Sequence, residues 1–257
     1  LETGLDLREI NKIERILFIS ILVKNMSSSI TSENLVLITT TLAGNEIAER
    51  RRKMIVDTMS VYRIPVFFDH GVTDSGASLI EKQYRIMKNR MEQFMKMPGF
   101  EYAVLCDDDF HCGVDFLAEL NRTVSVLPPD WRCLHLCPGC LWGRSIYREK
   151  EGGPIGELVP ERGMGILNGL EVDASGRYFK GCGSGLWNGK NLWLGGPIAV
   201  LVRRGESIAS LWEDFTRLYV RETNPNDVIL TNILRNCDYV CRSPLLGYED
   251  EMGGTCF

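Results

Sequence analysis

Along the first half of the chain, short apolar runs alternate with longer stretches in which apolar residues recur at steps of three and four. Leu35–Thr39 reads as a buried strand that opens into a polar end at Thr39, Thr40 and Thr41. Ile47, Met54, Ile55 and Met59 predict a helix within Asn45–Tyr62, and Ile64–Phe68 predicts a second strand closed by Asp69-His70-Gly71. Ile80, Tyr84, Met87, Met91 and Phe94 predict a helix over Ser78–Met97, stopped by Pro98-Gly99. Glu101–Cys106 is a third strand, and it runs directly into Asp107-Asp108-Asp109. Strand, helix, strand, helix, strand predicts an α/β fold with a parallel sheet and helices on its faces. Such sheets bind ligands beyond the carboxyl ends of their strands. The threonine run, Asp69-His70 and the aspartate triplet all fall at those ends.

The second half is less regular. Val114–Ser125 and Glu206–Arg221 read as helices, the latter with Ile208, Leu211, Trp212, Phe215, Leu218 and Tyr219 on one side. Cys133–Leu136 and Pro197–Val202 read as strands, and Asn226–Arg235 as a short final helix. Between them, Cys137–Lys190 is rich in glycine with little periodicity, which predicts long loops with short strands. No repeat or low-complexity linker interrupts the chain, so one continuous domain over residues 1–257 is expected.

Composition narrows the class. Of 257 residues, 44% are hydrophobic and 25% charged, enough for a sizeable core and unlike a disordered chain or a coiled coil. Acidic residues outnumber basic ones, 34 to 29, for a net charge of −5, which speaks against a nucleic-acid partner. No apolar run approaches the length of a membrane span. The longest, Ile16–Val23, is eight residues between Arg15 and Lys24 and favours a buried strand. The chain opens at Leu1, which leaves an upstream signal peptide or anchor open. Nine cysteines are present, with Cys133, Cys137 and Cys140 close together around His135. One C-x2-C is short of a four-ligand zinc pattern, so buried thiols with room for one disulfide are expected. Asn25-Met-Ser27 and Asn121-Arg-Thr123 are formal glycosylation sequons, a tripeptide that also arises by chance.

Three aspartates directly after a buried strand are the sharpest chemical feature. In extended backbone Asp107 and Asp109 point to the same side, and two such oxygen donors can hold a hard cation, Mn²⁺ or Mg²⁺. Without a cation or basic partners, neighbouring carboxylates near a desolvated sheet end repel. A solvated acidic turn, or a cap for the following helix, is the plainer alternative.

Leu105-Cys-Asp-Asp-Asp109 resembles the D-x-D motif of nucleotide-sugar-dependent glycosyltransferases of the GT-A fold. The order of Ile80–Met97, Glu101–Asp109 and Leu127-Pro-Pro-Asp-Trp131 leading into Cys133–Leu136 is similar to the procollagen galactosyltransferase and lipopolysaccharide glycosyltransferase family. The resemblance implies a Rossmann-like GT-A fold: a mostly parallel central sheet flanked by helices, followed by an irregular acceptor half rich in Gly and Trp. Residues 30–125 would form the nucleotide-sugar-binding half and 126–257 the acceptor half. The implied partners are a nucleoside diphosphate-sugar donor and a hydroxyl acceptor on a glycan or protein. Asp109 would coordinate the metal, and Asp107 would reach the metal or the ribose. Asp108, Thr39, Thr40, Thr41 and Asp69 complete the donor-binding candidates.

Inversion at the anomeric carbon needs a base for the acceptor hydroxyl. Asp227, in Asn226-Asp227, resembles the acidic stretch that supplies it, and equally reads as a charge at a helix N-terminus. Trp187 and Trp193, in the Gly-rich stretch Gly181–Gly196, are candidates for stacking on the acceptor sugar, with core packing the alternative for each. Glu249-Asp-Glu251 offers a further metal ligand, since the C-terminal His of many relatives has no counterpart after His135. His111 stands two residues past Asp109 as another candidate ligand. Arg50–Arg52 reads as a solvated helix face, with diphosphate contact the alternative. The implied compartment is the Golgi or endoplasmic reticulum lumen if an anchor preceded the chain, and the cytoplasm otherwise. Two rivals remain: a metal-dependent nucleotidyltransferase, although Thr39–Gly44 lacks the basic residue usual there, and a non-catalytic carbohydrate-binding module.

Overall fold

The computed structural model describes residues 29–41, 44–71, 75–113, 115–136, 145–148, 157–160, 173–179, 199–219, 237–241 and 245–248. Leu35–Thr41 forms β1, Glu46–Tyr62 α1, Val66–His70 β2, Leu79–Lys96 α2 and Tyr102–Cys106 β3. Phe110–Cys112 is β4, Phe116–Val124 α3, Cys133–His135 β5, Ser145–Arg148 β6, Glu157–Pro160 β7 and Tyr178–Phe179 β8. Ala199–Arg203 is β9, Glu206–Tyr219 α4, Asp238–Cys241 β10 and Leu246–Tyr248 β11. The helix starts follow local chemistry. The Asn45 side chain accepts from the Ile47 and Ala48 N–H groups, and Ser78 accepts from Glu81 N–H. Pro98-Gly99 follows directly on the end of α2, where the periodicity also stops.

The main sheet has seven strands in the order β2-β1-β3-β9-β5-β10-β8. Strands β2, β1, β3, β5 and β10 point one way, while β9 and β8 run against them. This is an α/β architecture, a mostly parallel sheet flanked by helices in the Rossmann-like manner. A second sheet of four strands has the order β4-β11-β6-β7. No helix among the described residues is long and apolar enough to cross a membrane.

Strand alternation divides the core between two faces. Leu35, Leu37, Tyr102, Val104, Leu201 and Leu134 pack with Ile55 and Met59 of α1 and with Phe116, Leu120 and Val124 of α3. Val36, Ile38, Ala103, Leu105, Val200 and Val202 pack with Met87, Met91 and Phe94 of α2 and with Ile208, Leu211 and Phe215 of α4. Trp131 belongs to the first face. It is 1% exposed, parallel to the Tyr102 ring at 6.3 Å between centroids, with the Arg203 guanidinium 5.3 Å from its own centre, so it is core and not a sugar platform.

One expectation is corrected, and two features gain detail. Strand β2 continues through Asp69 and His70, because Thr40 and Thr41 of β1 provide register partners for both. Cys106, Cys112, Cys133 and Cys241 are buried free thiols, and the Cys133 thiol donates to Asp238 at 3.2 Å instead of facing a metal. Cys137 and Cys140 lie outside the described residues, as does Ile16–Val23. The Asn121 sequon is spent on structure: Oδ1 accepts from Ile30 N–H at 2.8 Å, and Nδ2 donates to the Ile30 and Leu117 carbonyls.

Candidate active site

Parallel register brings the polar ends of three strands side by side. Thr40 lies opposite Asp69 and Thr41 opposite His70, while Ile38 of β1 lies opposite Leu105 of β3. The acidic triplet therefore leaves the sheet next to the end of β1. Its backbone is pinned on both sides, by Cys106 at 0% exposure and Phe110 at 2%. Asp107–Asp109 thus form a short turn between β3 and β4 with little freedom to splay into solvent.

Two helices on opposite faces each send an arginine to this turn. Arg90 of α2 donates from Nη1 to Asp107 Oδ1 at 2.9 Å and from Nε to Thr40 Oγ1 at 3.0 Å. Arg51 of α1 donates from Nη1 to Asp108 Oδ1 at 3.2 Å, with both side chains 4% exposed. The strand alternation that sorts the apolar side chains also sends Asp107 toward α2 and Asp108 toward α1. The reading of Arg50–Arg52 as a solvated face fails at its middle residue. Arg50 and Arg52 are exposed, Arg52 lying over the Phe68 ring, but Arg51 is buried among Ala48, Ile55 and Met59.

Asp109 has no such partner. It is half-buried, and its Oδ1 is closed to solvent without a hydrogen bond. Burial first, then the neighbouring Asp107 charge, pushes its carboxyl up to about 7, against the opposing pull of Arg51. Burial likewise raises Asp108, with Arg51 opposing. Asp108 Oδ2, Asp69 Oδ2, Thr41 Oγ1 and Arg90 Nη2 are also buried without partners. An unmade bond of this kind costs about 1–3 kcal/mol per group, so this edge of the sheet is electrostatically unfinished.

A hard divalent cation fits what is missing. Such ions take oxygen ligands, and magnesium-type sites use one or two carboxylates together with substrate phosphates and water. The Asp109 Oδ1 is an unused buried oxygen beside the Asp107 carboxylate, and the residual charge is negative. Among the described residues no group of three or more His, Cys, Asp or Glu side chains is placed to hold a metal ion by itself. His70 is exposed at the end of β2, and His111 lies on β4 opposite Gly247. His135 is buried in β5, and burial lowers its pKa to about 4, which keeps it neutral. Two depressions of about 230 and 440 Å³ lie along α3, lined by Glu119 and Arg177 and by Tyr62 and Asn121 respectively, away from the turn.

Asp227, Trp187, Trp193 and Glu249-Asp-Glu251 lie outside the described residues. The structure brings together Thr39, Thr40, Thr41, Asp69, Asp107, Asp108 and Asp109 at one sheet edge. Arg90 escapes pattern reading and Arg51 enters it only within Arg50–Arg52, as a solvated or diphosphate-contacting residue, although a signal for a buried partner exists. Each stands on the apolar stripe of its helix, Arg90 among Ile86, Met87, Met91 and Phe94, where a charge needs a buried partner.

No protein-family model and no curated protein sequence matches the chain. Solved structures similar to it include two chains at low identity. One is a glycosyltransferase involved in the glycosylation of the major capsid of PBCV-1, at TM-score 0.40 and 7% identity over 75% of this chain and 72% of that one. The other is A197 from STIV, at TM-score 0.41 and 12% identity over 85% of this chain and 87% of that one.

Proposed function

We propose that this protein is a metal-dependent glycosyltransferase that moves a sugar from a nucleoside diphosphate-sugar to a hydroxyl acceptor with inversion. One observation carries the reading: a carboxylate oxygen of Asp109, buried and unpartnered, at the mouth of a mostly parallel sheet beside Asp107. An acidic turn that served only as a solvated loop would leave its carboxylates in water. Here one is locked to α2, one to α1, and the third is held without a partner.

In this proposal Asp107 and Asp109 hold Mn²⁺ or Mg²⁺. When bound, that ion supplies Lewis-acid stabilisation of the departing diphosphate. The ends of β1 and β2, with Thr39, Thr41 and Asp69, are assigned to the nucleoside, while Thr40 is turned to Arg90 of α2. Asp227 is assigned as the base that takes the acceptor hydroxyl proton, and Trp187 and Trp193 as the stacking surface for the acceptor.

The test is a panel of nucleotide sugars scored for slow hydrolysis with Mn²⁺, with Asp109→Ala alongside. The expected result is hydrolysis of at least one donor by the wild type, dependent on Mn²⁺ and lost in the variant. Undiminished hydrolysis by Asp109→Ala would refute the metal assignment. Separately, a wild-type kcat in Asp227→Asn would move the base elsewhere.

A further inference from the structure

Away from the acidic turn, three segments close on a cleft of about 230 Å³ whose lining includes Glu119 and Thr123 of α3, Arg177 before β8 and Leu245 before β11. Each side is fixed. Glu119 and Thr123 stand one helical turn apart on the same face. The Asp173 side chain accepts from the Ser175 and Arg177 N–H groups at 2.9 and 3.3 Å. Tyr178 donates from its hydroxyl to the Val126 carbonyl at 3.3 Å, which ties this turn to the end of α3. Leu245 N–H donates to the Leu136 carbonyl at 2.9 Å.

The polar groups of the cleft are arranged but not used up. Glu119 Oε2 accepts from Arg177 Nη1 at 2.9 Å and Oε1 from Arg122 Nη1, which leaves a lone pair on each oxygen. The Arg177 bond holds the Glu119 carboxyl below the usual carboxylate range, so it stays an acceptor. That bond uses one of the five N–H donors of the guanidinium. Thr123 is 3% exposed, yet its hydroxyl has no hydrogen-bond partner among the described residues and is not among the atoms sealed from solvent.

We propose that this cleft binds a single neutral sugar ring. The site needs neither the metal nor the nucleotide of the proposed reaction. A cation meets Arg177 and an anion meets Glu119, so the matched occupant carries no net charge. An apolar occupant strips water from both ions and returns no hydrogen bond. Neighbouring hydroxyls of a pyranose match the pair: one donates to Glu119 and the next accepts from Arg177. A third meets Thr123 Oγ1, while Leu245 takes the C–H face of the ring. Size agrees, because pockets for drug-sized ligands span about 300–1,000 Å³ and this one is smaller.

Saturation-transfer NMR with the methyl glycosides of glucose, galactose, mannose, N-acetylglucosamine, fucose and xylose, without metal or nucleotide, tests the site. At least one should bind the wild type at millimolar concentration. Thr123→Val keeps the branched shape, deletes the hydroxyl and should weaken that glycoside about fivefold, the scale of one hydrogen bond. Thr123→Ser should match the wild type. Arg177→Met, at a side chain 33% exposed, should abolish binding. Ala118→Glu, in the neighbouring depression along α3, and Asp109→Asn, at the acidic turn, should bind as the wild type does. A wild type that binds none of the six overturns the proposal, and so does unchanged binding in Thr123→Val or Arg177→Met. Loss of binding in Ala118→Glu or Asp109→Asn puts the sugar elsewhere and overturns it as well. If Thr123→Val does not fold, Arg177→Met decides alone. Displacement of the glycoside by an equal concentration of inorganic phosphate overturns the neutral class.

Discussion

Two buried arginine–aspartate clusters sit at opposite ends of the same sheet and are built to different standards. At the amino-terminal ends of β5 and β10, Arg132 donates from Nε to Asp238 Oδ1 at 2.9 Å, from Nη2 to Asp238 Oδ2, and from Nη1 to Asp214 at 2.5 Å. Arg217 adds a bond to Asp214 at 2.8 Å, so two guanidinium groups meet two carboxylates, and none of their buried oxygens or nitrogens lacks a partner. Burial works against the Arg132 charge, but the Asp238 bonds outweigh it and raise its pKa. At the carboxyl ends of β1 and β3, two arginines face Asp107, Asp108 and Asp109, and buried oxygens are left over. Pairing arginine with aspartate is therefore no sign of function by itself. A complete network fixes the fold, whereas an incomplete one at a strand end is shaped for something that arrives later.

The two ends should respond oppositely to loss of a charge. The largest expected effect is that of Asp109→Asn, which should lower metal-dependent donor hydrolysis by at least about 100-fold, the scale of losing a contact to developing charge. Without metal the same variant should melt no lower than the wild type, because it removes an unpaired buried charge. The sign with pH follows from linkage. Native Asp109 keeps its proton up to about pH 7, whereas an unfolded Asp releases it near the ordinary value of about 4. Across that window its contribution makes the wild type less stable as pH rises, relative to Asp109→Asn. Melting both proteins from acid to neutral pH without metal checks it.

Next in size is Arg132→Met at the complete cluster. It removes the guanidinium that Asp238 and Asp214 share, while Arg217 stays on Asp214, and should cost about 3–5 kcal/mol, or roughly 10 °C in melting temperature. The Mn²⁺ response of the folded fraction should survive. Loss of the Mn²⁺ response in this variant would erase the distinction between the two ends.

His135, in the strand that starts at the complete cluster, should give a pH effect of opposite sign to Asp109. Burial lowers its pKa to about 4, so the unfolded chain gains a proton first as the solution is acidified. Its contribution is intact above about pH 6.5 and declines toward pH 4, by about 3 kcal/mol in all. His135→Gln should lose that acid slope, as a pH series of urea titrations would show. The smallest effect is at the α1 cap, where Asn45→Ala should cost about 1 kcal/mol. Calorimetric melting should register that loss with Arg51 still paired.

Much of this arrangement is legible in the sequence. The α2 periodicity from Ile80 to Phe94 and the apolar runs of β1 and β3 specify both elements and faces. They also place Thr39–Thr41, Asp69 and Asp107–Asp109 at the strand ends. The direction of β9 is not legible, because an apolar run reads the same either way, and its antiparallel pairing with β3 and β5 is set by its neighbours. The last two residues of β2 were lost for a similar reason, since Asp69 and His70 are polar and take strand form through β1. The arginine partners were hidden by a rule that counts every Arg as a surface residue. Arg51 and Arg90 break their helices' apolar stripes, and the aspartates that justify them are 57 and 17 positions away in sequence.

Thermal melting with Mn²⁺ and the diphosphates of uridine, guanosine, cytidine and adenosine tests the central claim most directly, because ligand that binds only the native state raises the melting temperature. The expected result is that at least one diphosphate stabilises the wild type when Mn²⁺ is present and not when it is withheld, and that Asp109→Asn shows no such gain. A wild type indifferent to every pair, or an Asp109→Asn protein stabilised as much as the wild type, would contradict it.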